Sequence, residues 1–178
     1  MKGKMIHQPL PAGRILLREP RLSDADDIFV CLSDPEVCRY IEVSLHQSPA
    51  DTKAFLFRKR EEFERCEGTE WVIEYGLEKR AVGMINLYSF SADSAYVGYF
   101  IARDFWGRGI ATEALSVLKE YAFSCGLSAL YALCFPENRA SLRVLEKAGF
   151  GFEKKGEYFG SSVCGDLIFR YVARKLHE

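Results

Sequence analysis

The sequence predicts an α+β (mixed α/β) protein in which a run of antiparallel strands lies between helical segments. Between residues 70 and 102, β-branched and aromatic stretches alternate with turn-forming residues, which is typical of neighbouring strands. After Gly109, apolar residues recur every three or four positions, as in an amphipathic helix. The 178 residues are 48% hydrophobic and 13% aromatic, enough to bury one sizeable core. We therefore expect one domain, residues 1–178.

The first third of the chain predicts one strand and three helices. Residues 15–18 form a short β-prone run. Ser23 and Asp26 then have the spacing of a capping box, which predicts that the first helix begins there. Asp34-Pro35 and Ser48-Pro49 each set an N-cap residue before a proline at the first helical position. Two further helices are expected from these pairs.

The remaining elements follow the same local rules. Turn residues separate three predicted strands, at 70–75, 81–88 and 95–102. A long helix follows Gly109 and ends at Gly126, where glycine favours a C-terminal stop. Asn138 begins a shorter helix that Gly149 closes. Three more strands are predicted around that helix, at 129–135, 150–158 and 166–173.

Charge and hydropathy exclude several classes of partner. The chain has 24 Lys and Arg against 25 Asp and Glu, a formal net charge of −1, so nothing attracts the whole molecule to nucleic acid or to an anionic membrane. No apolar run approaches the roughly 20 residues that span a bilayer, and the N-terminal residues lack the apolar stretch of a signal peptide. We expect a cytoplasmic protein with no nucleic-acid or membrane partner.

The six cysteines are scattered without a Cys-x-x-Cys pair, and most lie in apolar stretches. This spacing favours reduced, buried thiols over disulfides or zinc ligands. We expect no metal site.

The turn between the strand at 95–102 and the following helix contains Gly107 and Gly109. Unpaired N–H groups at a helix N-terminus suit a phosphate, and glycines let the backbone approach it closely. Arg103 and Arg108 add positive charge there. The G-x-x-x-x-G-K-[ST] phosphate loop is absent, and Thr112 stands where a dinucleotide-binding turn needs a third glycine. A kinase of that class and a nicotinamide enzyme are therefore disfavoured.

Three motifs in this chain resemble those of the GNAT superfamily of N-acetyltransferases. Trp106-x-x-Gly109-x-Ala111 resembles its pyrophosphate loop, [R/Q]-x-x-G-x-[G/A], with tryptophan in place of the commoner arginine or glutamine. The wider segment at residues 106–114 is similar to the corresponding segment in the branch of ribosomal-protein N-terminal acetyltransferases. Residues 14–37 resemble the opening of that branch, and residues 136–150 resemble its closing motif.

The resemblance implies an acyl-CoA N-acyltransferase fold. Its central sheet would be twisted and mostly antiparallel, with about seven strands, a splay between the fourth and fifth, and about four flanking helices. Acetyl-CoA would be the co-substrate, and no metal would take part. The implied cofactor-binding residues are Phe100, Ile101 and Ala102 on the strand, Trp106, Gly107, Arg108, Gly109, Ile110, Ala111 and Thr112 in the loop and helix start, and Asn138 and Ser141 farther on.

The resemblance also implies two catalytic candidates. Ser141 would protonate the departing thiolate, because many relatives use a tyrosine that is replaced here by Leu145. Glu157 resembles an acceptor-side glutamate of the branch, whereas Tyr96 stands where relatives often have an acid. Ordinary structural roles, a first-turn polar residue and a solvated strand or loop residue, remain open for Ser141 and Glu157.

The implied reaction is acetyl transfer from acetyl-CoA to a primary amine by direct attack. A protein N-terminal α-amine, of the ribosomal-protein type, is the acceptor that the resemblance favours. A small amine such as a polyamine, an amino acid or an antibiotic is the alternative. A non-catalytic acyl-CoA-binding module is also open, because Leu145 and Tyr96 replace reactive residues. We expect a monomer or a homodimer.

Overall fold

The structure, a computed structural model, describes residues 8–65, 69–156 and 166–172. Its centre is one eight-stranded sheet with the strand order β1-β2-β3-β4-β5-β6-β8-β7. The strands are β1 (Leu10–Ala12), β2 (Ile15–Arg18), β3 (Glu70–Tyr75), β4 (Arg80–Tyr88), β5 (Ser94–Ile101), β6 (Ala129–Cys134), β7 (Gly151–Gly156) and β8 (Asp166–Val172). The helices are α1 (Ala25–Leu32), α2 (Pro35–Cys38), α3 (Pro49–Glu64), α4 (Ile110–Ser124) and α5 (Arg139–Lys147).

The sheet consists of two antiparallel groups that meet at one parallel pair. Strands β1 to β5 pair in chain order, and β6, β8 and β7 form the second group. Within the described residues, β5 and β6 pair only from Ser94 to Tyr96, against Ala129 to Tyr131. The strands then diverge, and they correspond to the fourth and fifth strands predicted from the sequence. The predicted α+β class and the splay are confirmed.

Local signals fixed three of the helix starts. The Asp34 carboxylate accepts the Glu36 N–H at 2.9 Å, and Ser48 exchanges hydrogen bonds with Asp51 at the start of α3. The Asn138 side chain caps α5 by accepting the Ser141 N–H at 3.1 Å. These three predicted N-caps are confirmed, because each depends only on residues two or three positions apart.

Two details of the sequence prediction were wrong. The capping box from Ser23 to Asp26 does not form, because a 3-10 turn over Leu22–Asp24 precedes α1. The carboxylate of Asp24 accepts the Arg21 N–H instead, at 2.8 Å. The prediction also missed β1, a three-residue strand paired antiparallel to β2, because so short a run has no periodicity to detect.

Two apolar layers lie on opposite faces of the sheet. Helices α4 and α5 cover one face, where Trp71, Leu115, Leu118 and Leu145 are fully buried. Helices α1 to α3 cover the other, and the residues buried there include Ile28, Leu32, Leu56, Val72 and Met84. The sheet therefore separates two cores, each closed by helices.

Four cysteines, Cys31, Cys38, Cys125 and Cys134, are free thiols, and burial raises the pKa of Cys31 to about 12. Cys66 and Cys164 lie outside the described residues. Among the helices that the structure describes, none is long and apolar enough to cross a membrane.

A buried ion cluster ties the start of the chain to the sheet. Arg18 on β2 binds the Asp24 carboxylate through two hydrogen bonds, of 2.9 and 2.7 Å, and its Nε donates to Glu74 Oε2 at 2.6 Å. All three residues are less than a tenth exposed. Charges removed from water in this way are costly unless each is paired, and Arg18 is the shared partner of both carboxylates.

Replacing Arg18 with Met should therefore lower the free energy of unfolding by about 3–5 kcal/mol, because it leaves two buried carboxylates without their cation. Urea unfolding at neutral pH measures this loss. Arg60→Met is the matched control, since Arg60 pairs with Glu64 on the exposed face of α3. Equal midpoints for the two variants would contradict the role assigned to Arg18.

Candidate active site

The divergence of β5 from β6 leaves one edge of β5 facing an opening. The Ala102 N–H donates to Val82 O at 2.8 Å, which fixes the alternation along β5. Even-numbered residues direct their backbone groups toward β4, and Val97, Tyr99 and Ile101 direct theirs toward β6. Beyond Tyr96 the described part of β6 makes no ladder pair with this edge. An extended polar ligand could pair with it as a strand does.

This alternation refines the strand contacts predicted from the sequence. Of the three predicted residues, Ile101 directs its backbone toward the opening, whereas Phe100 and Ala102 direct theirs toward β4. The Ile101 carbonyl accepts the indole N–H of Trp106 at 2.7 Å, so Trp106 occupies this edge at the C-terminal end of β5. The sequence prediction missed Val97 and Tyr99, because it did not fix which strand residues face which neighbour.

The loop at the end of β5 delivers the chain to the start of α4. Gly107 and Gly109 have φ angles of +73° and +79°, a left-handed conformation that glycine adopts without strain. Gly109 caps α4 without any side chain, so nothing covers the helix start from that position. The first-turn N–H groups of Ile110, Ala111 and Thr112 have no helical acceptor. With the helix dipole, these donors suit an anion, and the cofactor contacts expected of this loop stay a prediction.

Arg14, in the turn between β1 and β2, holds this loop in place. Its backbone N–H and its Nη2 donate to the Glu113 carboxylate at 3.1 and 3.0 Å, and Nη2 also donates to the Arg108 carbonyl at 3.1 Å. Gly13 has a φ of +50°, a conformation that favours glycine, and a Cβ there would lie 2.8 Å from Glu113 Oε1. Three hydrogen bonds thus join the N-terminal turn to the helix start.

The aromatic rings of Phe105 and Tyr75 pack beside the same loop. The Arg108 guanidinium lies 5.0 Å from the centre of the Phe105 ring, and Tyr75 meets that ring edge-on at 5.7 Å. Arg14 in turn lies 5.8 Å from the Tyr75 ring. The other arginines near the loop have carboxylate partners, Arg14 with Glu113, Arg80 with Asp27 and Arg103 with Asp34. Among the described residues Arg108 has none, so its charge is available to an anionic ligand.

A second polar group lies between β5 and α5. The hydroxyls of Ser141 and Tyr99 are 2.9 Å apart, and the first-turn position of Ser141 is fixed by its N–H bond to Asn138. Burial raises the pKa of Tyr99 above its ordinary value, so its hydroxyl stays protonated and can donate to Ser141. Ser141 is then free to donate its own proton toward the opening. The sequence indicated Ser141 but did not pair it with Tyr99, which is 42 residues away.

The remaining sequence candidates fall in different places. Leu145 is fully buried in the core under α5. Tyr96 stacks between Tyr88 and Tyr131, with ring centres 5.7 and 5.4 Å apart, on the face covered by α1 to α3. Glu157 lies outside the described residues, so its acceptor-side role stays a prediction.

Sequence comparisons match this architecture to known proteins. A family model described as an acetyltransferase (GNAT) domain matches residues 14–151. The uncharacterized N-acetyltransferase YoaA of Bacillus subtilis (strain 168) is 33% identical over 150 residues, 83% of this chain and 84% of that protein. The uncharacterized N-acetyltransferase p20 of Bacillus licheniformis is 27% identical over 152 residues, 84% of each chain.

Solved structures share the fold at lower identity. A putative ribosomal-protein-serine acetyltransferase from Vibrio cholerae superposes with a TM-score of 0.82 at 19% identity, over 93% of this chain and 98% of that chain. Mycobacterium smegmatis RimJ in complex with CoA-disulfide gives 0.78 at 24%, over 96% and 88%. The Microcin C7 self immunity acetyltransferase MccE, in complex with acetyl-CoA and AMP, gives 0.76 at 21%, over 90% and 93%.

Replacing Arg14 with Ala should loosen the loop while leaving the melting temperature nearly unchanged, because an exposed ion pair contributes little to global stability. Amide hydrogen exchange of residues 106–113 should become faster in this variant. Arg60→Ala, which removes an exposed pair on α3, is the control and should leave the loop amides as they are. Unchanged protection of the loop in the Arg14 variant would exclude the role assigned to Arg14.

Proposed function

The chain belongs to the GNAT family of acetyltransferases, and on that premise we propose that it transfers the acetyl group of acetyl-CoA to a protein N-terminal α-amine. The observation that carries the proposal is the continuity of the site. The unpaired edge of β5 leads directly to the exposed N-terminus of α4. One ligand with an amide-bearing arm and a pyrophosphate could engage both.

Acetyl-CoA has these two parts. Its pantetheine arm would pair with the backbone of Val97 and Tyr99, and its pyrophosphate would accept the amides of residues 110–112, with Arg108 adding positive charge. The related structures of MccE with acetyl-CoA and RimJ with CoA-disulfide support this cofactor. The predicted cofactor contacts of Trp106, Gly107, Asn138 and the rest of the loop belong to the same proposal.

The chemistry requires a neutral amine and a protonated leaving group. The amine nitrogen attacks the thioester carbonyl, a C–N bond forms, and the C–S bond breaks as the thiolate leaves. Ser141 donates a proton to that thiolate and regains one from solvent, while the Tyr99 hydroxyl holds Ser141 in place through their hydrogen bond. An α-amine with a pKa of about 8 costs only about 1.4 kcal/mol to deprotonate at pH 7, against about 4.6 for a lysine. An N-terminus is therefore the easier acceptor.

The identity of the acceptor is supported by relatives rather than by contacts. The Vibrio cholerae neighbour is named a ribosomal-protein-serine acetyltransferase, which favours a protein N-terminus. MccE is named a self immunity acetyltransferase, and it supports a small-molecule amine, such as a polyamine, an amino acid or an antibiotic, as the second candidate. A cytoplasmic location and a monomeric or homodimeric state remain predictions from the sequence.

The experiment that tests the function is thiol release from acetyl-CoA with a panel of acceptors. Peptides with free N-termini, N-blocked lysine peptides, polyamines and free amino acids form the panel. We expect selective turnover of the free N-terminal peptides. Selective turnover of a small amine would support the second candidate, and stabilisation by CoA without any turnover would favour a non-catalytic acyl-CoA-binding module.

Replacing Gly109 with Val should weaken acetyl-CoA binding by about tenfold or more, because the side chain is strained at a φ of +79° and covers the helix start. Isothermal titration calorimetry of the folded variant measures the affinity. Ser116→Ala, in the body of the same helix, is the control. Retained affinity in the Gly109 variant would remove the loop from the cofactor site.

Replacing Ser141 with Ala should lower kcat by about 100-fold while the KM for acetyl-CoA changes little, because the proton donor acts only as the thiolate leaves. Tyr99→Phe should lower kcat less, since it removes the second donor of the pair. Steady-state kinetics with the acceptor found in the panel measure both. An unchanged kcat for the Ser141 variant, with chemistry limiting the rate, would exclude Ser141 from the mechanism.

A further inference from the structure

A row of three residues crosses the sheet on the face opposite Ser141. Glu70 on β3 pairs with Asn86 on β4, and Asn86 pairs with Gly98 on β5. Residues two positions along each strand, Val72, Met84 and Phe100, pack in the core under α1 to α3. Because side chains alternate along a strand, Glu70 and Asn86 lie on that same face.

The row reaches the point where the sheet opens. The last β5–β6 pair joins Tyr96 to Tyr131, and Gly98 follows two residues later. A Cβ on Gly98 would lie 2.8 Å from Asn86 Oδ1, so the Asn86 amide covers the place that a side chain would fill. No β5 side chain therefore separates the Asn86–Glu70 pair from the start of the opening.

The Glu70 carboxylate retains capacity to accept a proton. Its Oε1 accepts the Asn86 Nδ2–H at 3.3 Å. Its Oε2 forms an ion pair with Lys59 Nζ at 3.1 Å, and no other described group bonds that buried oxygen. Lys59 is shared with Glu62, also at 3.1 Å, so the three side chains carry one surplus negative charge.

Burial raises the pKa of Glu70 above its ordinary value, and Glu62 acts in the same direction. Lys59 and the Asn86 amide oppose the rise by stabilising the carboxylate, but burial is the largest of these effects. A carboxylate of raised pKa is a stronger base than an exposed one.

We propose that Glu70 is the general base of the acetyl transfer, receiving through bridging water the proton that the attacking amine loses, while Asn86 positions its carboxylate. The inference rests on the proposed function and adds the acceptor side to it. The surplus negative charge attracts the cationic amine, which loses one proton to solvent before it attacks, and Glu70 accepts the second proton as the C–N bond forms. The thiolate takes its proton from Ser141 on the other face, and Glu70 then releases its proton to solvent.

Glu70→Gln tests the proposal, with the acceptor that the wild-type enzyme turns over in the panel. We expect kcat to fall by about 100-fold or more and the KM for acetyl-CoA to stay unchanged. The wild-type rate should fall as pH drops through the raised pKa of Glu70, and this limb should disappear in the variant. Glu70→Asp, which keeps the carboxylate, should recover part of the rate.

Glu64→Gln is the matched control, because Glu64 lies on the exposed face of α3 and pairs only with Arg60 among the described residues. It should keep the wild-type rate and pH profile. A Glu70→Gln enzyme with wild-type kcat and an unchanged acidic limb would overturn the proposal, and so would a loss confined to acetyl-CoA binding. Absence of turnover in the wild-type protein would instead count against the proposed function itself.

Discussion

The early separation of β5 and β6 is the constraint on which the rest of the site depends. Three residue pairs are enough to align the two strands in parallel, and α4 then crosses from the end of β5 back toward β6. Because β5 keeps its antiparallel partner on one edge, its other edge can remain open without loss of the strand. The same geometry places the N-terminus of α4 at the end of that edge. The backbone groups on the open edge of β5 and the first-turn N–H groups of α4 therefore lie one after the other along the opening.

The two faces of the sheet divide the proposed chemistry. The face under α4 and α5 has the proton donors Ser141 and Tyr99, with the Arg108 cation at the nearby helix start. On the face under α1 to α3, Lys59 is shared by Glu62 and Glu70, a local group with one more carboxylate than cations. A net charge of −1 for the whole chain therefore conceals two local fields of opposite sign. A polyanionic donor and a cationic acceptor would be drawn to different sides of the same opening.

Sequence reasoning succeeded where a signal was local and failed where a contact was distant. The cap at Asn138 and the glycine turn before α4 depend on residues within a few positions, so they could be predicted together with the succession of strands and helices along the chain. The bonds from Arg14 to Glu113 span 99 residues, and their existence depends on how the sheet brings β1 and α4 together. The predicted box at Ser23 failed for a related reason: Asp24 serves Arg18, a tertiary partner that local spacing does not reveal.

The shared cation at the centre of the Arg18 cluster also constrains the order in which this sequence can change. Loss of Asp24 or Glu74 alone leaves Arg18 with one carboxylate, and the pair that remains is electrically neutral. Loss of Arg18 first leaves two like charges confined together in the core, which is the more destabilising intermediate. A lineage that exchanges this cluster for apolar side chains should therefore lose an acid before the arginine. The same three positions would be expected to vary as a group rather than independently.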